Sequence, residues 1–379
     1  MSNYILKIPN HFLITFIRQG VLKLKSLNSI GWSSFFEKQF EQYRSSGFEA
    51  GRIINEQKER YIVFTEHGEF QGEVSGKLLY STDNSSDFPK VGDWVVLSVF
   101  KEESKVIIHE LLSRRNKFSR KSAGQKIEEQ VLAANIDTVF IVQSLDHNYN
   151  IRRMERYISM IYEMKAEPVI LLNKSDLDSN PREKLKEVRK IFPGIISFCL
   201  SSIYNVGIEQ VKELIQPGNT YMLIGSSGVG KSTIINRLAE EDILRTNEVR
   251  EKDSRGKHTT TSRQMIVLEN GGLLIDTPGM RGFKLWNTES GFEEAFNEIE
   301  IFAKDCHFSD CTHTSEIKCE VKEALKNGKI SKERYESYLK LQKELRYLET
   351  KQNKFSFLES KKKMKIINKA AKNFFKNKF

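Results

Sequence analysis

The sequence lacks an apolar run that approaches the roughly 20 residues of a membrane-spanning helix. Its apolar-leaning stretch near the start, residues 5–17, is broken by Lys7, Asn10 and His11 and has no small-residue cleavage site. We therefore expect no signal peptide and no membrane partner. Hydrophobic residues make up 39% and charged residues 29% of the 379 positions, which is typical of a soluble globular protein with two or three domains. We expect a cytoplasmic monomer.

Cysteine is also scarce, which excludes a framework of disulfides. There are four cysteines, and three of them, Cys306, Cys311 and Cys319, fall within fourteen residues. In a reducing cytoplasm this clustering indicates a metal site. Three thiolates and one imidazole, from His313 or from the neighbouring His307, would close a tetrahedral zinc shell, which is a structural site. The remaining cysteine, Cys199, is expected in the core.

Outside the C-terminus the chain has almost no excess of positive charge, because its basic and acidic residues nearly balance. Residues 351–379 hold ten lysines and one glutamate, so they supply +9 of the net +10. Lysines bind RNA phosphates with release of counterions, so this tail is a candidate RNA contact. The alternative is a solvated tail that only favours solubility.

The chain divides into six sections by composition and pattern. An aromatic patch with Trp32 and Phe36 is expected to pack on a neighbouring domain, and the short strands that follow predict a small OB-type β-barrel. Alternating strands and helices then predict a parallel sheet covered by helices. The sections are a lead segment (1–45), the barrel (46–112), a basic connector that contacts RNA or is simply solvated (113–126), an α/β domain (127–291), a helical zinc-binding domain (292–350) and a basic tail (351–379).

A phosphate-binding loop is the most specific motif. It matches G-x-x-x-x-G-K-[ST], follows the apolar run 221–224 and precedes a helix-like segment, which is the required context. Backbone N–H groups of such a loop surround phosphate oxygens. We expect Lys231 to reach the β- and γ-phosphates and Ser232 to coordinate Mg²⁺. The nucleotide-binding residues predicted here are Gly225, Ser226, Ser227, Gly228, Val229, Gly230, Lys231, Ser232 and Thr233.

A second motif, Asp276-Thr277-Pro278-Gly279, ends another apolar strand. The carboxylate of Asp276 can hold Mg²⁺ through water, and Gly279 can donate its N–H to the γ-phosphate. We therefore expect Lys231 and Asp276 to carry the phosphate chemistry.

A third motif, Asn173-Lys174-Ser175-Asp176, predicts recognition of guanine. Guanine offers two adjacent N–H donors, and the carboxylate of Asp176 offers two acceptors, whereas adenine lacks that donor pair. Asn173 can serve the other edge of the base, and the stem of Lys174 can cover the ring. The pair Ser201 and Ser202, after the next strand, would contact the base through the backbone.

The order of these motifs, with the base motif and serine pair ahead of the phosphate loop, resembles the circularly permuted GTPases. The small N-terminal barrel, the run Gly256-Lys257-His258-Thr259-Thr260-Thr261 and the C-terminal cysteine–histidine cluster narrow the resemblance. Together they look like the ribosome small-subunit-dependent GTPase A family, RsgA or YjeQ. The resemblance covers about residues 31–347, most of the chain.

The resemblance implies a fold, partners and further site residues. The fold is an N-terminal OB-type barrel, a circularly permuted α/β GTPase domain and a C-terminal helical zinc-binding domain. The partners are GTP or GDP, Mg²⁺, one structural Zn²⁺, the small (30S) ribosomal subunit and its 16S rRNA. The threonine run would be the first switch, with Thr260 and Thr261 contacting the nucleotide and one of the threonines 259–261, with Thr260 preferred, binding Mg²⁺. His313 is favoured over His307 as the fourth zinc ligand.

Catalysis needs a water molecule held in line with the γ-phosphate. Many GTPases place a glutamine after D-x-x-G for this purpose, but here Met280 stands there and cannot orient water. We therefore expect slow intrinsic turnover that a partner stimulates, with His258 as a candidate for positioning the water. The resulting hypothesis is a GTPase of late small-subunit maturation. The alternative is an RNA-binding scaffold that uses GTP occupancy as a signal with negligible hydrolysis.

Overall fold

A computed structural model describes residues 26–57, 60–82, 84–121, 129–244, 263–276, 289–343, 345–346 and 350. Within these residues no helix combines the length and the apolar character that crossing a membrane requires.

The N-terminal strands close into a five-stranded barrel. Their order is β1-β2-β3-β5-β4, and β4 pairs back with β1. β3 and β5 are parallel, whereas the other neighbours are antiparallel. This topology confirms the predicted OB-type barrel. The elements are α1 (Ser34–Arg44), β1 (Glu49–Gln57), β2 (Arg60–Thr65), β3 (Gly68–Val74), α2 (Gly76–Ser81), β4 (Trp94–Phe100) and β5 (Lys105–Leu111).

The aromatic patch of the lead segment lies against the barrel. The rings of Trp32 and Trp94 are 4.7 Å apart at their centroids and meet edge to face, a favoured arrangement of aromatic pairs. Phe36 and Phe40 are buried on the same face of α1 because they are four residues apart. The predicted connector contains a strand, since β6 (Lys117–Lys121) pairs with β7 (Glu129–Ala134) in a separate two-stranded sheet.

The central domain is a six-stranded sheet covered by helices. Its order is β10-β9-β8-β11-β13-β12, and every neighbour is parallel except the β12–β13 pair. The strands run as near-continuous buried apolar segments, as a sheet covered on both faces requires. The elements are β8 (Thr138–Ser144), α3 (Ile151–Glu163), β9 (Glu167–Asn173), α4 (Pro181–Ile191), β10 (Ile196–Cys199), α5 (Ile208–Leu214), β11 (Thr220–Ile224), α6 (Lys231–Ala239), β12 (Arg263–Val267) and β13 (Leu273–Asp276).

The barrel and the central sheet are joined by direct strand pairing. β1 pairs with β12 through Asn55 opposite Gln264 and Glu56 opposite Arg263. The Glu56 carboxylate lies 3.3 Å from Arg263 and 2.5 Å from the ammonium of Lys90. The two domains therefore share one continuous eleven-stranded sheet.

The C-terminal region is helical and packs on α3. It contains α7 (Glu289–Ala295), α8 (Asn297–Ala303), α9 (Glu320–Lys326) and the helical residues 332–343. Its buried Arg334 donates to Glu155 of α3 at 2.8 Å and lies 4.0 Å above the ring of Phe296. The three-part architecture expected from the sequence is confirmed.

Candidate nucleotide and metal sites

The predicted nucleotide residues that the structure describes converge at one edge of the central sheet. Because β8, β9, β11 and β13 are parallel, their carboxyl ends lie side by side. The phosphate loop follows β11, Asn173 ends β9 and Asp276 ends β13. Ligands of open α/β sheets bind at this edge, so the rotated motif order still produces a single site.

The phosphate loop is shaped by its lysine and its glycines. The Lys231 ammonium donates to the carbonyls of Gly225 at 2.9 Å and Ser226 at 2.7 Å. Burial lowers the pKa of Lys231 to about 8, and the nearby charge of Asp276 opposes this shift. Ser227 and Gly228, at the crest of the loop, are exposed. A phosphate placed there would meet the loop amides, the N-terminal turn of α6 and Lys231.

Two glycines of the loop tolerate no side chain. Gly225 has φ of 152°, and a Cβ there would lie 2.4 Å from the carbonyl oxygen of Val142. Gly230 has φ of 96°, and a Cβ there would lie 2.2 Å from the Asn173 amide nitrogen. The second contact means that the phosphate loop rests directly on the base motif.

Asn173 links the base motif, the serine pair and the phosphate loop. This fully buried residue donates from Nδ2 to Ser202 Oγ at 3.1 Å and to the carbonyl of Val229 at 2.8 Å. Its Oδ1 accepts from the Ser202 amide at 3.0 Å. Asp176 is exposed, and one of its oxygens accepts from Ser201 Oγ. The carboxylate is therefore oriented and accessible to a base.

Lys174 of the base motif pairs with Asp146, a residue that no predicted motif contains. Lys174 has φ of 60°, in the left-handed region, and its ammonium donates to Asp146 at 2.9 Å. Burial raises the pKa of Asp146, but hydrogen bonds from Ser144, Lys174 and the Asn148 amide outweigh it and bring the pKa to about 2. Asp146 lies two residues after the end of β8, and this position at the carboxyl end of an apolar strand was the signal that the sequence offered.

Arg153 was also missed. Its guanidinium, on the first turn of α3, donates to Ser226 Oγ of the phosphate loop at 3.1 Å and to the Asn148 carbonyl at 3.2 Å. Arg153 therefore places a positive charge beside the phosphate loop, although it belongs to none of the predicted motifs.

The remaining predicted residues divide into two groups. Ser232 and Thr233, on the first turn of α6, and Asp276 are half-buried at the same sheet edge. His258, Thr259, Thr260, Thr261, Gly279 and Met280 lie outside the described residues.

The cysteine–histidine cluster forms a compact group. The ligand atoms of Cys306, Cys311, His313 and Cys319 all lie within 4.8 Å of one another. His313 Nδ1 is 3.6 Å from the Cys306 sulfur and 3.5 Å from the Cys319 sulfur, and these two sulfurs are 3.9 Å apart. A tetrahedral zinc with Zn–S bonds of about 2.3 Å separates its ligand atoms by roughly 3.6–3.8 Å. The group therefore fits zinc.

Burial favours neutral ligand groups in the cluster when no metal is bound. Burial, together with the neighbouring thiols Cys311 and Cys306, raises the pKa of Cys319 to about 11. Burial also lowers the pKa of His313, so its imidazole is neutral and can act as a ligand. His307 is exposed and lies outside this group, and Cys199 is half-buried on β10.

The sheet order, the phosphate loop and the base motif together define a circularly permuted GTPase. The comparisons with known proteins identify the family. The sequence model described as RsgA GTPase matches residues 111–286. The chain is 42% identical over 318 residues to the "Small ribosomal subunit biogenesis GTPase RsgA 1" of Oceanobacillus iheyensis, covering 83% of this chain and 90% of that protein. The chain belongs to the RsgA GTPase family.

Solved structures agree on the fold. The crystal structure of YjeQ from Thermotoga maritima matches with a TM-score of 0.62 and 27% identity, over 79% of this chain and 98% of that chain. The structure of YloQ, described as a circularly permuted GTPase, matches with a TM-score of 0.57 and 21% identity, over 79% and 95% of the two chains.

Proposed function

We propose that this protein binds the small (30S) ribosomal subunit through its 16S rRNA and acts in its late maturation. It hydrolyses GTP to GDP and phosphate, and the subunit stimulates this turnover. The observation that carries the enzymatic part is the contact of buried Asn173 with the Val229 carbonyl, which joins a guanine-type motif to a phosphate loop. The ribosomal part rests on relatives that are named small ribosomal subunit biogenesis GTPases.

The proposed roles follow from the positions of the groups. Asp176 accepts the two guanine N–H donors, Asn173 and the Ser201–Ser202 pair fix the base pocket, and Lys174 lies over the ring. Lys231 neutralises the β- and γ-phosphates. Bound Mg²⁺ would offset the charge that develops on the phosphates.

The remaining proposed residues bind Mg²⁺, contact the nucleotide or position the attacking water. Ser232, Asp276 and one of the threonines 259–261, with Thr260 preferred, hold Mg²⁺. Thr260, Thr261 and Gly279 contact the nucleotide. His258 or a ribosomal group positions the attacking water.

The zinc group serves as a structural element of the C-terminal region. Cys306, Cys311, His313 and Cys319 leave no open coordination position for substrate. Tyr335, from the helical residues 332–343, donates to the His313 carbonyl at 2.5 Å. These four residues would hold zinc, and the bound metal would then stabilise the helices that pack on α3 of the GTPase domain.

In the proposed cycle, GTP favours the subunit-bound state of a cytoplasmic monomer, and hydrolysis favours release. The experiment is co-sedimentation of the protein with purified small subunits in the presence of a non-hydrolysable GTP analogue or of GDP. We expect strong association with the analogue and at least tenfold weaker association with GDP. Equal association in both states, or none in either, would contradict the proposed cycle.

A further inference from the structure

The half-buried side chain of Arg153 joins two segments that both border the nucleotide site. Its Nη1 donates to Ser226 Oγ in the phosphate loop at 3.1 Å and to the Asn148 carbonyl, in the segment after β8, at 3.2 Å. A guanidinium nitrogen of this kind carries two protons, so one atom can serve both acceptors. The phosphate loop and the segment after β8 are therefore connected through a single side chain.

The segment after β8 is a turn built around the carboxylate of Asp146. One carboxylate oxygen accepts from Ser144 Oγ at 2.7 Å and from the Asn148 amide at 2.8 Å. The other oxygen accepts from the ammonium of Lys174 at 2.9 Å. The backbone of Asn148 is thus bonded on one side to Asp146 and on the other to Arg153.

Arg153 is held in place by the helix on which it lies. Asn150 caps α3, because its Oδ1 accepts from the Arg153 amide at 3.0 Å. Met154 and Ile158, on the inner face of the same helix, are buried in the core. A side chain on a packed helix is positioned more precisely than one on a loop. The guanidinium therefore has a fixed origin from which to hold the phosphate loop.

The phosphate loop is connected to the base motif near both of its ends. Near the last residues of the loop, buried Asn173 donates directly to the Val229 carbonyl at 2.8 Å. Near the first residues, the connection is a chain of four hydrogen bonds, which joins Ser226, Arg153, Asn148, Asp146 and Lys174 in that order. The second connection ends on Lys174, which belongs to the same motif as Asn173.

This second connection matters most when phosphate binds. Without phosphate, the Lys231 ammonium donates to the carbonyls of Gly225 and Ser226. An ammonium has only three N–H donors, and a bound phosphate competes for them. The bond from Arg153 to the Ser226 hydroxyl does not use Lys231. It can therefore hold the start of the loop while Lys231 turns to the ligand.

We propose that Arg153 is a positioning residue for nucleotide binding. It fixes Ser226 at the start of the phosphate loop and, through the turn at Asp146, couples the loop to Lys174 of the base motif. Guanine binding and phosphate binding then favour the same arrangement of the site. This inference rests on the part of the proposed function that places the nucleotide at this loop.

The first test is a double-mutant cycle on GDP binding, measured by titration calorimetry with the full chain. Arg153→Met removes the donors and keeps an apolar stem, and we expect a Kd for GDP about tenfold higher. Ser226→Ala keeps the backbone groups of the loop and should raise the Kd at least threefold. If Arg153 acts through Ser226, the double variant should bind GDP within about twofold of Arg153→Met alone. An unchanged Kd in Ser226→Ala, or effects that multiply, would overturn the proposal.

A second cycle tests the coupling to the base motif. Asp146→Asn weakens the charged bond to Lys174 and should raise the Kd for GDP about fivefold or more. Combined with Arg153→Met, the loss should be at least threefold smaller than the product of the two single effects, because both changes break one chain of hydrogen bonds. A loss equal to the product would show that Arg153 and Lys174 are not coupled.

The matched control is Arg152→Met, on the same turn of α3. Arg152 lies 3.6 Å from Glu336, and both side chains are 50% exposed, so this pair contributes little. The control should keep the Kd for GDP within about twofold of wild type. Arg153→Lys, which retains a cationic donor, should recover the affinity to within about threefold. Equal losses in Arg152→Met and Arg153→Met, or no recovery in Arg153→Lys, would count against a role specific to Arg153.

The number of binding sites per chain separates positioning from misfolding. A positioning role raises the Kd and leaves about one site per chain, whereas a misfolded fraction lowers the number of sites and leaves the Kd of the remainder unchanged. The second pattern in Arg153→Met would overturn the proposal. A wild type that binds no GDP would overturn both this proposal and the proposed function. A wild type that binds GDP, with Arg153→Met equal to its control, would overturn the positioning role alone.

Discussion

Asn173 hydrogen-bonds with groups from two other chain segments, Ser202 and the Val229 carbonyl, and it is fully buried. Its amide therefore cannot swing out to contact a base edge without breaking these bonds. Its role is to hold the base pocket and the phosphate loop together, while Asp176 remains exposed for direct contact. The sequence motif predicted direct base contacts for both residues, with Asp176 on the two guanine N–H donors and Asn173 on the other edge.

Asp176→Asn should change the base preference. One carboxylate that accepts two N–H bonds becomes an amide with one acceptor and one donor. Hydrogen bonds to a charged group contribute about 1.5–3 kcal/mol each, so GTP affinity should fall about a hundredfold or more. Xanthosine triphosphate, with a carbonyl where guanine has its amine, should bind the variant better than GTP does. The neighbouring variant Asp178→Asn should retain GTP preference, and a similar loss there would contradict the assignment.

Lys231 gives nucleotide binding a pH dependence. Its pKa is about 8 in the free protein because of burial, and bound phosphates raise it. A group whose pKa rises on binding contributes its full affinity below the free pKa and loses it as pH rises towards the bound pKa. GDP affinity should therefore be flat from pH 6.5 to 7.5 and fall by up to tenfold per pH unit above about 8. Calorimetry in two buffers at pH 8.5 should show proton uptake, and its absence would contradict this account.

At the scale of elements, the periodic segments were predictable. β11 occupies Thr220–Ile224, which contains the apolar run 221–224 that precedes the phosphate loop. The pairing of β6 with β7 was not predictable, because four of the five residues of Lys117–Lys121 are polar. The motifs were recognisable because their residues are close together in the sequence. Arg153 and Ser226 are 73 residues apart, so their contact could be seen only in the folded chain.

The zinc group should hold the C-terminal element together. Purified protein should contain about one zinc per chain by elemental analysis. Cys319→Ser should lose the metal and release α9 from its neighbours, since folding of such sites is linked to metal binding. Cys199→Ser, outside the group, should retain zinc. Full zinc content in Cys319→Ser, or none in the wild type, would contradict the assignment.

At the scale of the whole molecule, buried Arg52 joins the domains. From β1 it donates to the carbonyls of Ile30, Gly92 and Asn135 and, at 2.8 Å, to Thr220 Oγ1 of β11. The sequence offered a weak signal, a charge inside the apolar run Ala50–Ile54. Its partners lie up to 168 residues away, so only the folded arrangement shows that one side chain connects the lead segment, the barrel and the GTPase sheet.

Arg52→Met should destabilise the whole chain. Each buried acceptor left without a donor costs about 1–3 kcal/mol. We expect the free energy of unfolding in urea to fall by about 3 kcal/mol or more, with the barrel and the GTPase domain unfolding in separate transitions. Arg60→Met, at an exposed position of β2, should change the free energy of unfolding by less than about 0.5 kcal/mol. Equal effects of the two variants would show that Arg52 does not join the domains.

This chain is a member of the RsgA GTPase family, and we propose that its turnover depends on the small ribosomal subunit. The direct measurement is the rate of phosphate release at saturating GTP with no ribosomal particle, with purified small subunits and with large subunits as the matched control. We predict slow basal release, at least tenfold stimulation by small subunits alone, and none in Lys231→Ala. An unstimulated rate with small subunits would contradict the account and favour a scaffold that uses GTP occupancy as a signal.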